Sequence, residues 1–320
     1  ALAAIAFDFD KDGDVDIYFG NYFPDLNMFQ LPHTKVLHDS WETSRNGGKN
    51  IMARNEGNGT FTLLIDHPVL ADTGWTMAVG HADYDNDGWQ DIYIANDYGA
   101  DKLLKNVKGE FVDVSREAIG IDTRKGMNAE FGDVDNNGYL DIFVTNVTEK
   151  FLYECNMLWI NNQDGTFTDL SRELNICDAG WAWGGKFFDY DNDGDLDLYV
   201  ANGFFSGKGD YLEVLLPSMW KTGEDPSEAK EWPPLMRMGM ATKERNVLFK
   251  NVSGISFKKI EKSAVNIDKD SRGVFTADFD NDGKLDLFVT NNEDKAVIFQ
   301  NTTTNKNNWL ILDLKAVPPN

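Results

Sequence analysis

Histidine and cysteine are scarce in this chain of 320 residues, which contains only 4 His and 2 Cys. Enzymes commonly show a nucleophile beside a base and an orienting group, or a metal with an open coordination position, and these two residue types supply many such groups. The sequence also lacks the GxSxG, HExxH, GxGxxG and phosphate-loop patterns. We therefore expect a protein that is not an enzyme and has no catalytic residues.

Basic residues are also few, because Lys and Arg total 30 against 53 Asp and Glu, and the formal net charge is −23. Such a charge repels a phosphate backbone, so no nucleic-acid partner is expected. No stretch of 18 apolar residues predicts a membrane span, and no basic segment followed by an apolar one predicts a signal peptide. The chain starts with Ala1 instead of Met, which fits a processed or fragmentary start.

The sequence is rich in an acidic nine-residue pattern, DxDxDGxxD, of which five copies occur. Each copy has Gly at its sixth position, and the third copy has Asn137 at its fifth position. The copies occupy residues 8–16, 83–91, 133–141, 189–197 and 278–286. We refer to them as loops 1 to 5.

Alternate residues of a tight loop point to the same interior, where their oxygens can surround one ion, and hard oxygen ligands select a hard cation such as Ca²⁺. We predict side-chain ligands at positions one, three, five and nine, a backbone carbonyl ligand at position seven, and about five calcium ions in all. An EF-hand is disfavoured, because its loop ends in Glu and lies between helices. The predicted ligands are Asp8, Asp10, Asp12, Asp14, Asp16, Asp83, Asp85, Asp87, Trp89, Asp91, Asp133, Asp135, Asn137, Tyr139, Asp141, Asp189, Asp191, Asp193, Asp195, Asp197, Asp278, Asp280, Asp282, Lys284 and Asp286.

Any one of these loops, taken alone, could equally be a solvated turn, since Asp, Asn and Gly are common turn residues. However, two carboxylates about 4 Å apart repel by roughly 4 kcal/mol at an effective dielectric constant near 20, so the loops call for a counter-charge. Five copies with matching flanks favour metal binding over the turn.

The flanks of each loop repeat as well. An apolar strand precedes the loop, a strand such as DIYFGN or DLYVAN with alternating apolar residues follows it, and a third and fourth strand join through a polar turn. Four strands per unit at a spacing of about 50 residues predict an all-β propeller with one blade per unit, hence five blades in a single domain over residues 1–320. Insertions are expected at about 22–49 and 204–245, the second with a short helix near 211–216.

These residues resemble the FG-GAP or VCBS repeat propellers, and more closely the ASPIC/UnbV type, with calcium loops like those of integrin α chains. The similarity runs through nearly the whole chain and includes GWAWGGKFFDYDNDGDLDLYVANG at 180–203 and SRGVFTADFDNDGKLDLFVTNN at 271–292. Residues 307–317 resemble the entry to the C-terminal domain of that family, so 307–320 should form the last strand and the start of a missing region. Family members typically close seven blades, and residues 1–21 are most similar to a third repeat. The five units therefore either close on themselves or form part of a seven-bladed ring.

Cys155 and Cys177 flank a strand-turn-strand segment, and a disulfide or two buried free thiols remain equal alternatives. Asn58, Asn146, Asn251 and Asn301 each begin an N-glycosylation pattern. Extracellular calcium loops of the weaker kind need millimolar calcium, which favours a secreted or cell-surface location.

The function that we expect is non-enzymatic binding, adhesion or structural support outside the cell, with a protein or glycan partner at the insertions or on a propeller face. A carbohydrate-binding propeller and a self-assembling filament or surface-layer subunit are the alternatives. Trp220 and Trp232 on the second insertion are candidate contacts and Trp75 could line a site, whereas Trp181 and Trp183 are expected to pack in the core. His81, two residues before loop 2, is expected to face the next blade for structural reasons.

Overall fold

A computed structural model describes residues 1–24, 38–149, 152–207, 210–211, 239–304 and 307–310. Its described residues form five antiparallel blade sheets and one separate two-stranded sheet, and the strands of each blade are adjacent in chain order except where that two-stranded sheet intervenes in the third blade. Blade 1 contains β1 (Ala3–Phe7), β2 (Asp16–Gly20), β3 (Ile51–Asn55) and β4 (Phe61–Leu64). Blade 2 contains β5 (Thr76–Ala82), β6 (Asp91–Asn96), β7 (Lys102–Val107) and β8 (Glu110–Asp113). Short helix α1 (Ser115–Ala118) follows blade 2.

The third blade carries an additional two-stranded hairpin. Its strands are β9 (Asn128–Gly132), β10 (Asp141–Thr145), β13 (Met157–Asn161) and β14 (Phe167–Asp169), and the hairpin is β11 (Thr148–Glu149) with β12 (Leu152–Tyr153). Blade 4 contains β15 (Ala182–Phe188), β16 (Asp197–Asn202), β17 (Val247–Val252) and β18 (Ser256–Lys259). In blade 5 the described strands are three, β19 (Ser271–Ala277), β20 (Asp286–Asn291) and β21 (Asp294–Phe299). The prediction of a five-bladed, all-β propeller is thus confirmed.

The blades pack face to face around the propeller. First strands of successive blades contact each other, β1 with β5, β5 with β9, β9 with β15 and β15 with β19. Each of these four interfaces has its own apolar cluster, such as Tyr93, Ile142 and Phe167 between blades 2 and 3. Because neighbours cover both faces, β6, β10 and β16 are buried at every position. The alternation predicted for the second strands is seen in β2, which lies in the first blade.

The outer faces of blades 1 and 5 are different from the faces between blades. Within the described residues, β19 does not pack on β1 in the way that the first strands of successive blades pack on each other. Apolar side chains are exposed at both ends, with Leu2 before β1 57% exposed and Phe275 in β19 55% exposed. The five described blades therefore form a continuous series whose two end faces do not bury each other as neighbouring blades do.

Both insertions leave and rejoin their blades at the face opposite to the acidic loops. Each acidic loop joins the first strand of its blade to the second, whereas each insertion joins a second strand to a third. A second strand starts at the loop face and ends at the other face, which we call the insertion face. Residues 25–37, 208–209 and 212–238 of the insertions, with Trp220, Trp232 and most of the expected helix, lie outside the described residues.

The segment 307–320, which was expected to form the last strand, is described only at 307–310, so that expectation stays a prediction. Residues 307–310 have no strand conformation, and 311–320 lie outside the described residues. The Asn307 side-chain amide donates to the carbonyl oxygen of Asp191, 3.1 Å away. Described residues of this segment thus lie beside loop 4.

Two open questions of covalent chemistry are answered by burial and pairing. Cys155 and Cys177 form a disulfide, and both are buried at the insertion face. Of the four N-glycosylation patterns, Asn146 and Asn251 begin at fully buried residues and Asn58 at an exposed one. A folded chain therefore offers Asn58 to a glycosylating enzyme but not Asn146 or Asn251.

Candidate metal centre

The acidic loops bring their carboxylates together in groups of three. In loops 1 to 4 the grouped residues are those at positions one, three and nine, and one carboxylate oxygen of each lies within 4.8 Å of the other two. Loop 5 groups positions one, three and five instead. The groups are Asp8, Asp10 and Asp16; Asp83, Asp85 and Asp91; Asp133, Asp135 and Asp141; Asp189, Asp191 and Asp197; and Asp278, Asp280 and Asp282.

Hydrogen bonds within each loop set the direction of these carboxylates, as loop 2 illustrates. The Asp83 carboxylate accepts from the backbone N–H groups of Asp87 at 3.0 Å and Gly88 at 2.8 Å. At the tight turn Asn86 has φ 60° and Gly88 has φ 86°, a region that Asn tolerates and Gly enters freely. The Asp-Asn-Asp-Gly order therefore closes the loop around its first carboxylate.

The ninth residue joins the loop to the third strand. In blade 2, Asp91 is fully buried and accepts from the backbone N–H groups of Asn106 at 2.8 Å and Tyr84 at 3.3 Å. Burial raises the pKa of Asp91 to about 7, and its backbone donors oppose that rise. Asp141 and Asp197 make the same contacts in their blades, and burial raises their pKa to about 7 and about 8. A cation beside these carboxylates would offset the cost of ionising them.

Loop 1 shows directly that oxygen atoms are available for an ion. The Oδ1 atoms of Asp8 and Asp10 are buried and accept no hydrogen bond from the described residues. Buried carboxylate oxygens without a donor are costly unless a cation compensates them. The donor set contains only oxygen, which suits Ca²⁺ and disfavours soft metals. The residues of loop 1 therefore fit the predicted ion.

Positions five and seven remain predictions as ligands. In loops 1 to 4 the fifth residue lies outside the group of three, and its side chain accepts from the backbone N–H of the seventh residue, as Asp12 does from Asp14 at 2.9 Å. In loop 4, Asp195 also uses its carboxylate elsewhere, accepting from Asn136 and from the backbone of Ser253.

Lysine ammonium groups from the third strand enter two of the loops. Lys105 pairs with Asp85 and, at 3.3 Å, with Asp87. Lys250 pairs with Asp191 and, at 3.0 Å, with Asp193. Both lysines therefore pair with the carboxylates at positions three and five of their loops, which are predicted calcium ligands.

The sequence did not reveal the role of the asparagines that directly follow Lys105, Lys250 and the equivalent third-strand residues, although these asparagines link the blades. Each lies at or just after the end of a third strand and donates to the carbonyl oxygen of the second loop residue in the preceding blade. These bonds join Asn106 to Phe9 at 2.8 Å, Asn161 to Tyr84 at 2.8 Å, Asn251 to Val134 at 2.8 Å and Asn301 to Tyr190 at 2.7 Å. The Asn that recurs after Arg, Lys, Ile or Gln before each polar turn was the available signal.

The insertion face carries a cluster of aromatic residues. The His38 ring stacks on Tyr98 with centroids 3.6 Å apart, and the Lys125 ammonium lies 4.3 Å from the Trp41 ring centroid. Burial lowers the pKa of Lys125, while Glu154 and the other nearby acids oppose that change. Trp75 is buried in the same cluster, and its indole N–H donates to Ser44. Insertion residues thus anchor on the propeller through packed rings.

Trp181 and Trp183 form a second group at this face and are only partly buried. Phe204 stacks on both rings, and the Arg272 guanidinium lies 4.4 Å from the Trp183 ring centroid. Near them, the Glu244 carboxyl accepts from the backbone N–H of Trp181 at 2.6 Å. Burial, together with the neighbouring Glu149, raises the pKa of Glu244 to about 8.

The histidines that the structure describes have structural contacts. His81 stacks on Phe7 of blade 1 with centroids 4.8 Å apart, so it faces the preceding blade instead of the next one. The His67 ring accepts from the backbone N–H groups of Val69 and Leu70. His33 lies outside the described residues. No described helix is long and apolar enough to cross a membrane.

Comparisons with known proteins agree with this architecture. The FG-GAP-like repeat profile matches residues 8–94, 83–144 and 153–200. Cartilage acidic protein 1 of Mus musculus is 24% identical over 97% of this chain and 52% of its own length. The Homo sapiens protein is 23% identical over 91% and 38%, and the Xenopus tropicalis protein 28% over 49% and 25%. The chain thus spans about half or less of each relative.

Among solved structures, the V. cholerae biofilm matrix protein Bap1 is similar over 90% of this chain and 34% of its own, with a TM-score of 0.43 and 12% sequence identity. That likeness is too low to carry an argument about function. The family profile, in contrast, covers more than half of the chain, and its matches contain acidic loops 1 to 4. The chain belongs to the family of FG-GAP-like repeat proteins.

Proposed function

We propose that this protein is a calcium-binding propeller that acts as a non-enzymatic binding, adhesion or structural module outside the cell. The observation that supports calcium binding best is the repeated convergence of three carboxylates, with buried Oδ1 atoms of Asp8 and Asp10 left without a donor. Bound calcium would supply positive charge and would stabilise the folded chain, because the unfolded loops cannot gather the same oxygens.

The hydrogen bonds of the loop carboxylates indicate how a bound ion would stabilise the fold. Asp8 and its equivalents hold the turn, and Asp16 and its equivalents bond to the third strand. An ion shared by these residues would connect the loop to two strands of the blade. The Asn bonds extend this connection to the preceding blade. Calcium is therefore proposed to strengthen the packing of successive blades.

An extracellular location is supported by the chemistry of the chain. A disulfide persists in oxidising compartments, and sites of the weaker extracellular kind fill at millimolar calcium. The relatives are named for cartilage and for their acidity, and this chain shares the acidity with its net charge of −23. These observations favour a secreted or surface-exposed protein.

A partner is proposed to bind at the insertion face. Large apolar side chains are exposed there, with Trp41 47% exposed and Tyr153 60% exposed, although both lie next to firmly packed residues. Exposed aromatic residues on a rigid base are typical of contact surfaces. The perturbed acids of this face, such as Glu244, have backbone and carboxyl partners, so the proposal does not include catalysis.

The number of bound ions tests the calcium proposal. After equilibrium dialysis at millimolar calcium, elemental analysis should give about five ions per chain. The double variant Asp133→Asn and Asp135→Asn should lose one ion while its Asn side chains keep the turn. Asp164→Asn, in an exposed turn outside the loops, is the matched control and should lose none. No bound calcium in the wild type, or an unchanged count in the double variant, contradicts the proposal.

Glycan binding is a second candidate, because a groove of about 410 Å³ lies between blades 2 and 3. Tyr139, Asn161 and Asp164 line it, together with Lys105, and aromatic, amide and carboxylate groups suit sugar hydroxyls and ring faces. A glycan array should then show a ligand whose binding is lost in Tyr139→Ala. An array without any ligand rejects this candidate and leaves the calcium proposal intact.

A further inference from the structure

The residue before the bridging Asn, or before its equivalent Asn55 in blade 1, differs among the five blades. It is Arg54 in blade 1, Lys105 in blade 2, Ile160 in blade 3, Lys250 in blade 4 and Gln300 in blade 5. As described, both lysines pair with positions three and five of their loops. The identity of this one residue therefore decides whether the third strand supplies a cation to its loop, whereas loop 5 has an ammonium group of its own, because Lys284 pairs with Asp282 at 3.0 Å.

The other blades show what happens without a lysine. In loop 3 the Asp135 carboxylate accepts from the side-chain amide of Asn137 at 3.0 Å, and Ile160 provides no charge. In blade 1, Arg54 pairs with Glu56 at 2.9 Å. Gln300 donates a neutral hydrogen bond to Asp280 at 2.6 Å. Only loops 2 and 4 receive an ammonium group from a third strand among the described residues.

We propose that Lys105 and Lys250 act as internal counter-ions that divide the calcium sites into two classes. Loops 2 and 4 bind calcium more weakly than loops 1 and 3, because the ion must displace an ammonium group from the carboxylates of positions three and five. Without calcium, the same ammonium groups hold loops 2 and 4 closed. This inference rests on the proposed calcium binding and concerns how strongly each loop takes the ion.

The two lysine ammonium groups oppose calcium binding. An ammonium group at 3.0 to 3.3 Å from one carboxylate, and in contact with a second, occupies the oxygens that calcium needs. Both lysines are about 30% exposed, which limits the strength of the ion pairs. An exposed pair contributes up to about 1 kcal/mol, so its loss corresponds to a change in affinity of up to about fivefold. Removal of the lysine also takes a positive charge away from the site, which reduces repulsion of the calcium ion and raises the calcium affinity further.

The test is calorimetric calcium titration of the full chain, with a fluorescence measurement of thermal unfolding in chelator. The wild-type isotherm should require two classes of site whose affinities differ by up to about fivefold. The double variant Lys105→Met and Lys250→Met should bind the weaker ions about fivefold more tightly per site, and its unfolding temperature in chelator should fall. Ile160→Lys should convert one tight site into a weak one. Lys102→Met is the matched control, because Lys102 is on the same strand and pairs with Asp113 outside the loops.

Each result distinguishes this inference from the proposed function. If the wild type binds no calcium, the proposed function fails and this inference fails with it. If one affinity describes all the ions of the wild type, and the double variant binds calcium with the same affinity as Lys102→Met, the internal counter-ions are rejected while calcium binding stands. Since Ile160→Lys adds a charge without opening a buried cavity, its tighter or unchanged binding would also overturn the inference, even if the double variant folds poorly.

Discussion

The Asn bridges between blades predict an unequal cost for the same substitution in two blades. Asn251 is almost fully buried, and its side-chain amide donates to Val134 of the preceding blade at 2.8 Å and to Leu196 at 3.1 Å. Its side-chain oxygen accepts from the backbone N–H of Gly254 at 2.9 Å. Asn251→Ala removes all three bonds and leaves three backbone groups without a partner.

The expected loss in free energy of unfolding can be estimated from these three bonds. Each buried hydrogen bond contributes about 1 kcal/mol net, and a buried backbone group left without a partner costs more. Asn251→Ala should therefore reduce the free energy of unfolding by about 3 to 4 kcal/mol. Asn55 is the equivalent residue of blade 1, but it is partly exposed, and its side chain makes only two bonds, donating to Val15 at 3.1 Å and accepting from Gly57 at 3.2 Å. Asn55→Ala should cost about 1 kcal/mol or less, because water can replace its bonds.

The assay is urea unfolding followed by tryptophan fluorescence, at fixed calcium concentration, for the wild type and both variants. The midpoint should move much further for Asn251→Ala than for Asn55→Ala, with similar slopes for all three proteins. Hydrogen exchange should show faster opening at the interface of blades 3 and 4 in Asn251→Ala. Equal losses in the two variants would refute the reasoning that the bridge between blades carries the difference.

Three further predictions concern the insertion face. Because the folded-state pKa of Glu244 is raised to about 8 from an ordinary 4.5, stability should rise as the pH falls through 8. Glu244→Gln should thus stabilise the chain above pH 8 by on the order of 1 kcal/mol and remove that part of the pH dependence. Cys155→Ser with Cys177→Ser should lower the free energy of unfolding by about 3 kcal/mol, measured in urea without reductant, since the bridge closes a loop of 22 residues. Trp41→Ala should weaken partner capture from extracellular fluid at least tenfold, whereas Val15→Ala, exposed on the loop face, should leave capture unchanged.

The fold followed from the sequence because its signals repeat. Five loops with the same flanking strands make each unit support the interpretation of the others, and the order of strands in a blade then follows from short connections. Burial of β6, β10 and β16 on both faces was not evident from alternation alone. Those strands are covered by neighbouring blades, and only the assembled propeller shows which faces meet.

The candidate metal centre was predicted in composition but only partly in geometry. Positions one, three and nine converge in loops 1 to 4 and positions one, three and five in loop 5, while the contacts of the fifth and seventh residues depend on local hydrogen bonds that spacing does not specify. The roles of Lys105 and Lys250 were missed because they come from another strand. The Cys155–Cys177 bridge was undecided, since distance in the chain does not reveal whether two sulfur atoms meet.

Thermal unfolding with calcium and with a chelator tests the central claim most directly. A ligand that binds only the folded chain stabilises it by about 2.7 kcal/mol per site at a concentration one hundred times its dissociation constant. The account predicts a large rise in unfolding temperature in millimolar calcium, a much smaller rise with the same concentration of magnesium, and reversal by chelator. Identical unfolding temperatures with calcium and with chelator would mean that the loops are solvated acidic turns, and would contradict the account.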